Sequence, residues 1–355
     1  MKIYLAPMEG ITGYVYRNAI HKIYGGIDKF FTPFIVPTIK REFKSRELRD
    51  IEPANNQGMN VVPQILSNDA EGFMNTLNNL KKYGYKEVNL NLGCPSGTVV
   101  SKGKGSGALA DLEKLDRFLD EIYSASDIAI SIKTRIGMEN EEDWISILEV
   151  YNKYPISELI VHPRLRVDYY KNPIHMNCYE YAYKNSRITP CYNGDINNYV
   201  KYNNIVSAYS DIPAVMIGRG MIEKPYLARD IKGQKKLLKH GEVEKYASVQ
   251  MDVEMQEDSK SKSKKEELFR FHDELFQGYL KEMQEENNVL HKMKEMWFYL
   301  GNDENIGIIG NIENFNDHER VDEVYEISEV NRLIKKLKKS KNINEYNKYI
   351  EELRI

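Results

Sequence analysis

The chain has 355 residues, of which 41% are hydrophobic, enough to build one large domain and a smaller one with full cores. Its formal net charge of −3 shows no global excess of positive charge for a polyanion, although a small net charge can conceal a basic face. Cys94, Cys178 and Cys191 form no C-x-x-C pair, the amino terminus is too short an apolar run for a signal peptide, and no stretch reaches the ~20 apolar residues of a membrane span; these features exclude a disulfide framework, a zinc site and a membrane protein, and predict a cytoplasmic chain.

Short runs rich in Ile, Val, Leu and Phe recur along the first two thirds of the chain. They predict strands at Ile3–Pro7, Lys29–Phe34, Val61–Leu66, Glu87–Leu92, Ile128–Thr134, Glu158–His162, Ile188–Tyr192 and Ala214–Ile217. Segments with helical spacing lie between them. Ala70–Tyr83 places Phe73, Leu77 and Leu80 on one face, and Leu112–Tyr123 does the same with Leu112, Leu115, Leu119 and Ile122. Strands alternating with helices predict a parallel sheet, and eight such units suit an α/β (β/α)8 TIM barrel. A doubly wound open sheet competes with it, but would want a G-x-G-x-x-G turn after the first strand, where this chain has Pro7-Met8-Glu9-Gly10.

Beyond the barrel, expected over residues 1–240, the Lys/Ser/Glu-rich stretch 241–266 has few apolar residues and is expected to be a flexible charged loop. Residues 267–355 then resume a helical pattern. Leu268, Phe271, Leu275, Phe276, Tyr279 and Met283 trace one amphipathic helix, and Val289, Met293, Met296 and Tyr299 another. The terminal stretch Val330–Ile355 leaves Lys335, Lys336, Lys338 and Lys339 exposed. A small all-helical domain is predicted.

A TIM barrel carries its chemistry at the carboxyl ends of its strands. After the fourth predicted strand comes Asn89-Leu90-Asn91-Leu92-Gly93-Cys94-Pro95, with Asn89 and Asn91 two apart and therefore on one side, toward the interior. Buried amides need partners. A lone cysteine is most often a small buried hydrophobe, but Cys94 sits at a turn beside those amides. As a thiol it could donate a proton as readily as act as a nucleophile. Lys133, in Ile132-Lys133-Thr134-Arg135, is costly inside a buried strand unless paired. Gln64 and His162 are further polar groups on predicted strands. The seventh and eighth strands end in Asn193-Gly194-Asp195 and Gly218-Arg219-Gly220, where glycine backbone and an Arg fork suit a phosphate.

Taken in order, this set resembles the tRNA-dihydrouridine synthase family. The matching stretches are Ala6-Pro7-Met8-Glu9-Gly10-Ile11-Thr12, Gln64, Asn91-Leu92-Gly93-Cys94-Pro95 with Lys102 and Gly105-Ser106-Gly107-Ala108-Leu109, Lys133-Thr134-Arg135, His162-Pro163-Arg164, Asn193-Gly194-Asp195 and Gly218-Arg219-Gly220. The sequence departs from the pattern at Glu9, at Gly13 where an aspartate often follows the threonine, and at Pro163-Arg164 in place of Gly-Arg. The resemblance implies an FMN-dependent, NADPH-reduced barrel enzyme with a helical RNA-binding domain, acting as a monomer on tRNA. Pro7 and Met8, with Glu9 beside them, would line the flavin. Gln64, Lys133 and His162 would meet its polar edge, Lys133 countering negative charge there. Asn193, Gly194, Asp195, Gly218 and Arg219 would hold the phosphate and ribityl tail. Cys94 would protonate C5 of uridine as general acid while hydride reaches C6. Asn91 would hold the uracil edge, and Lys102, Lys104, Arg135 and Arg164 would contact the substrate RNA around a flipped nucleotide. Two other readings keep the same cofactor site: a flavin barrel acting on a free small molecule, and a synthase acting on ribosomal RNA. A third is a non-catalytic RNA-binding scaffold, which would have no use for Cys94, Lys133 and both phosphate loops together.

Overall fold

A computed structural model of the chain describes residues 1–38, 42–239, 253–310 and 321–355. The strands are β1 (Lys2–Leu5), β2 (Lys29–Phe31), β3 (Val61–Val62), β4 (Gln64–Ile65), β5 (Glu87–Leu92), β6 (Ala129–Arg135), β7 (Leu159–His162), β8 (Cys191–Tyr192) and β9 (Ala214–Ile217). All pairings are parallel, in the order β3-β2-β1-β9-β8-β7-β6-β5-β4. β3 and β4 flank Pro63, which has no N–H to give a ladder. They are the two halves of one predicted strand, one half pairing with β2 and the other with β5. The ends of the sheet are therefore the same piece of chain, and the sheet closes into the expected (β/α)8 barrel.

Helices α1 (Tyr14–Ile23), α2 (Ser45–Ile51), α3 (Ala70–Lys82), α4 (Gly97–Val100), α5 (Leu112–Ala125), α6 (Asp143–Asn152), α7 (Met176–Asn185) and α8 (Tyr199–Ala208) separate the strands. Asp69 opens α3 by accepting from the Gly72 N–H, and Asp111 opens α5 by accepting from that of Lys114. The faces legible from spacing are buried as expected: Phe73, Leu77 and Leu80 on α3, and Leu115, Leu119 and Ile122 on α5. Tyr4, Ala6, Phe31, Val62, Ile160, Cys191, Ala214 and Met216 cluster as the apolar part of the core.

At the amino-terminal mouth of the barrel an ionic cluster replaces apolar packing. The Lys29 ammonium lies 3.1 Å from both Glu87 and Glu158, and the Tyr4 hydroxyl donates to Glu158 at 2.7 Å. Burial opposes the charge on Lys29, but Glu158 and Glu87 outweigh it and the pKa is raised. Lys29→Met strands two carboxylates, and is expected to lower stability at neutral pH by about 2 kcal/mol, the low side of the range for breaking a buried pair because all three groups keep some exposure. Urea unfolding at pH 7 and at pH 4 checks this. The loss should shrink at pH 4, where the carboxylates take up protons.

The described chain divides into two compact units, Met1–Arg17 with Ile27–Gly218, and Asn18–Gly26 with Arg219–Ile355. The boundary falls at Gly218, earlier than the expected end of the barrel domain near residue 240, because α9 (Arg219–Glu223) and α10 (Leu227–Lys239) belong to the second unit. That unit also contains α11 (Val253–Glu282), α12 (Glu286–Leu300), α13 (Asp303–Ile309), α14 (Val321–Lys339) and α15 (Ile343–Arg354). The expected charged loop at 241–266 is corrected in part. Residues 240–252 lie outside the described residues, but from Val253 onward the segment is helix. Its Glu, Gln, Met and Lys are good helix formers even where no apolar stripe marks them.

The second unit packs Leu268, Phe271, Leu275 and Tyr279 of α11 with Val289, Met293, Met296 and Trp297 of α12 in its core. The Tyr346 hydroxyl of α15 accepts from Trp297 Nε1 at 2.9 Å and lies 2.7 Å from His272 Nε2, tying three helices together. The terminal helical stretch is two helices rather than one, broken where Asn342 accepts from the Glu345 N–H and starts α15. No helix among the described residues is long and apolar enough to cross a membrane.

Candidate active site

Inside the barrel the polar strand residues form a connected ladder. Gln64 donates to Asn89 at 2.7 Å, Asn89 donates to Ser131 at 3.0 Å, and Asn91 donates to Gln64 Oε1 at 2.7 Å. The strand registers produce this: Gln64 faces Asn89 between β4 and β5, and Asn89 faces Ser131 between β5 and β6. Asn91 Oδ1 then accepts from the backbone N–H groups of both Gly93 and Cys94, each at 3.0 Å. The amide chain thus fixes the turn that carries the thiol. One hydrogen of the Asn91 amide is left for a ligand. Gln64, expected to touch the flavin edge, has no exposed surface and both ends of its amide are engaged; in this structure it orders Asn91.

The Cys94 carbonyl accepts from Ser106 through both N–H, at 3.1 Å, and hydroxyl, at 2.9 Å. Gly105 makes that approach possible. Its φ is +58°, and a Cβ there would sit 2.8 Å from the Cys94 carbonyl oxygen. The thiol itself is half-buried, and burial raises its pKa above the ordinary value despite the nearby charges of Arg135 and Lys133. At neutral pH Cys94 is a thiol, able to give a proton.

Lys133 pairs with Asn91 in the β5–β6 register. Burial, with the positive Arg135 adding to it, pushes its pKa down to about 8. Among the described residues its ammonium has no hydrogen-bond or ion-pair partner. An unpaired, half-buried lysine costs stability, and such groups concentrate at functional sites.

Two arginines expected on the RNA are committed to the fold instead. Arg135 is fully buried and donates to the carbonyls of Gly93 at 3.0 Å and of Leu165 and Tyr169 at 2.6 Å each. It clamps the Cys94 turn to the loop after β7. Arg164, 3% exposed, forks onto Asp195 and also donates to the Asn172 carbonyl. Asp195, expected at the cofactor, is thereby held in an ion pair. Arg164 also donates to His162 Nε2 at 3.2 Å, so that imidazole carries its proton on Nδ1; its ring stacks on Tyr170 at 5.9 Å.

The loop after β1 is held just as firmly. Met8 N–H donates to Thr12 Oγ1 at 2.8 Å, and Arg17, fully buried, donates to the carbonyls of Thr12 and Asp50. Asp50 in turn accepts from the Tyr14 N–H at 2.6 Å. At Gly13, where the family pattern often has aspartate, a Cβ would lie 3.3 Å from Asp50 Oδ1, so a larger side chain there would press on this carboxylate. Nothing in the local sequence marked Arg17 or Asp50. Pro7 and Met8 are half-buried, while Glu9 is exposed at the rim and paired with Arg46.

At the ends of β8 and β9, the Asn193 amide donates to the Met216 carbonyl at 2.8 Å. The backbone N–H groups of Gly194 and Gly218 have no protein acceptor among the described residues. At Gly218 a Cβ would make only ordinary contacts, 3.5 Å from Ala6 and 3.6 Å from Met8, so packing does not demand a glycine there. Arg219 follows as the first residue of α9. Lys102 is exposed and Lys104 half-buried, its pKa lowered by burial and by Lys102; neither is ion-paired among the described residues. No cluster of three or more His, Cys, Asp or Glu among the described residues could hold a metal ion.

A family model described as dihydrouridine synthase matches residues 4–306 of the chain. A probable tRNA-dihydrouridine synthase of Staphylococcus aureus (strain COL) is 32% identical over 232 residues, which cover 62% of this chain and 69% of that protein. The tRNA-dihydrouridine(16) synthase of Aquipseudomonas alcaligenes is 28% identical over 245 residues, covering 65% and 75%. A solved structure of morphinone reductase overlaps 66% of this chain and 86% of its own at 10% identity, with a TM-score of 0.46, too distant to carry an inference.

Proposed function

The chain belongs to the dihydrouridine synthase family, and from that premise we propose that it reduces uridine in tRNA to 5,6-dihydrouridine at the carboxyl mouth of the barrel, with FMN as cofactor and NADPH as reductant. The observation that carries the reading is the presence of a protonated thiol and an unpartnered cation at the same strand ends: Cys94 is kept a thiol by burial, and the Lys133 ammonium has no counter-group among the described residues.

The residues present fit a flavin mononucleotide. Lys133 offers the positive charge that suits the electron-rich polar edge of the ring. Pro7 and Met8 offer a half-buried surface, and the open N–H groups of Gly194 and Gly218 suit a phosphate. Arg219 is assigned to that phosphate by its adjacency to Gly218 in the chain. When bound, the flavin supplies hydride transfer to C6 of the uracil. The protein's own part is to hold the base and deliver the proton. The remaining Asn91 hydrogen takes a uracil carbonyl, and Cys94 gives its proton to C5. Asn91 also orients Cys94 through two backbone N–H groups, so one amide reads the base and aims the acid. Arg135 acts through the Gly93 carbonyl as a positioning residue. Lys102 and Lys104, close in sequence to the Cys94 turn and without ion pairs among the described residues, take phosphates flanking the flipped nucleotide.

The test is reconstitution. Purified protein with FMN, NADPH and tRNA transcribed without modifications should form dihydrouridine detectable by nucleoside mass spectrometry, and ribosomal RNA under the same conditions should not. Reduction of a free pyrimidine with no product on tRNA would overturn the reading.

A further inference from the structure

Phe298 is 70% exposed although its neighbours Trp297 and Leu300 are each 1% exposed. The ring therefore stands on the outer face of a well-packed helix, α12, where burial cannot account for it. Lys338, from the last turn of α14, holds its ammonium 5.2 Å from the ring centroid. Lys294, one turn before Phe298, donates to the carbonyl of Ser340, two residues beyond Lys338, at 2.8 Å. Lys335, Lys339 and Lys341 continue the basic run around the end of α14.

This patch joins an exposed ring to clustered lysines that lack a counter-charge among the described residues. Other surface lysines are held by carboxylates, as in Lys81–Asp127, Lys153–Asp116 and Lys184–Glu180. Among the described residues none of Lys294, Lys335, Lys338, Lys339 and Lys341 has a carboxylate partner. A cluster of unpaired cations is self-repelling unless an anion is meant to meet it. Lysine is depleted from protein–protein contacts, whereas an exposed aromatic ringed by cations is the combination that holds single-stranded nucleic acid, the ring stacking a base and the cations taking phosphates.

We propose that Phe298 is a stacking platform for one unpaired base of the tRNA, with Lys338 and Lys294 receiving the phosphates beside it. The inference rests on the reading of tRNA as substrate. It places a second contact on the RNA in the helical unit, distinct in chemistry from the uridine site. A stacked base tolerates any sequence, so this contact contributes affinity and register rather than choice of nucleotide.

The experiment uses the full chain with FMN bound and measures equilibrium binding of fluorescently labelled, unmodified tRNA. Phe298→Ala should weaken binding on the order of tenfold, raise KM with little change in kcat, and leave the melting temperature unaltered because the ring is exposed. Phe298→Trp should restore affinity. Lys338→Gln should lower the slope of log Kd against log salt by about one contact's worth, ~0.7–0.9. Unchanged affinity in Phe298→Ala, with wild-type protein binding and modifying tRNA, would overturn the platform and leave the proposed function standing. The same holds if the substitution abolishes self-association but not RNA binding, which would make the patch a protein contact. Wild-type protein that neither binds nor modifies tRNA would overturn the functional reading, and this inference with it.

Discussion

Alanine at position 94 leaves FMN bound and slows dihydrouridine formation by about 10²–10⁴-fold, the usual worth of a positioned general acid. The backbone of the turn is held by Asn91 and Ser106 through main-chain atoms of Gly93 and Cys94. Removing the sulfur disturbs none of those bonds, so the variant should keep its fold and its flavin absorbance. Burial raises the thiol pKa, and an acid works only while protonated. Turnover should therefore hold through neutral pH and fall only as pH rises past the ordinary thiol range. Stopped-flow measurement of the reduced enzyme mixed with tRNA isolates the step. Loss of flavin together with activity would make Cys94 a packing residue, and full activity in the alanine variant would remove it from the chemistry.

Lys133→Met should stabilise the flavin-free protein and cripple its cofactor binding. The lysine pKa falls from its ordinary 10.5 to about 8 in the fold, which corresponds to roughly 3 kcal/mol spent on holding the charge at neutral pH. The sign follows from proton counting. Between pH 8 and 10.5 the unfolded chain holds more protons at this site than the folded one, so wild-type stability rises with pH across that window and the whole penalty is present below it. A methionine of similar length removes the penalty, and the melting temperature at pH 7 should rise by about 4–8 °C. FMN affinity, read by quenching of flavin fluorescence, should drop by at least about tenfold, one charge-assisted contact being worth ~1.5–3 kcal/mol. In wild-type protein that affinity should weaken as pH rises past about 8, and in the variant it should not. A variant that melts lower and binds flavin normally would show that Lys133 is a structural charge.

Much of the architecture was legible because it depends on local spacing. Period-two and 3.6-residue patterns placed eight strands and the α3 and α5 faces within a few residues, and the alternation in β5 correctly put Asn89 and Asn91 on the inner side. The unusual character of Cys94 and Lys133 was also legible, since a polar group in an apolar strand is costly wherever the strand ends up. The sequence by itself thus determined the barrel and the family.

The partner of each charge was decided only in three dimensions. An arginine after a strand can grip a phosphate or a carbonyl with the same fork of donors, and its sequence neighbours do not distinguish the two. Arg135 and Arg164 read as RNA contacts, yet closing the barrel brings the loops after β5, β7 and β8 together, and their carbonyls and Asp195 claim both guanidinium groups. The same holds for Arg17 and Asp50, 33 residues apart in the chain, which no local pattern could pair. Helix from Val253 was hidden for a related reason: Lys, Glu and Gln are at home in a helix or in solvent, so without an apolar stripe composition alone leaves the conformation open. Spacing along the chain determines which face a side chain occupies; the closure of the sheet determines what it meets there.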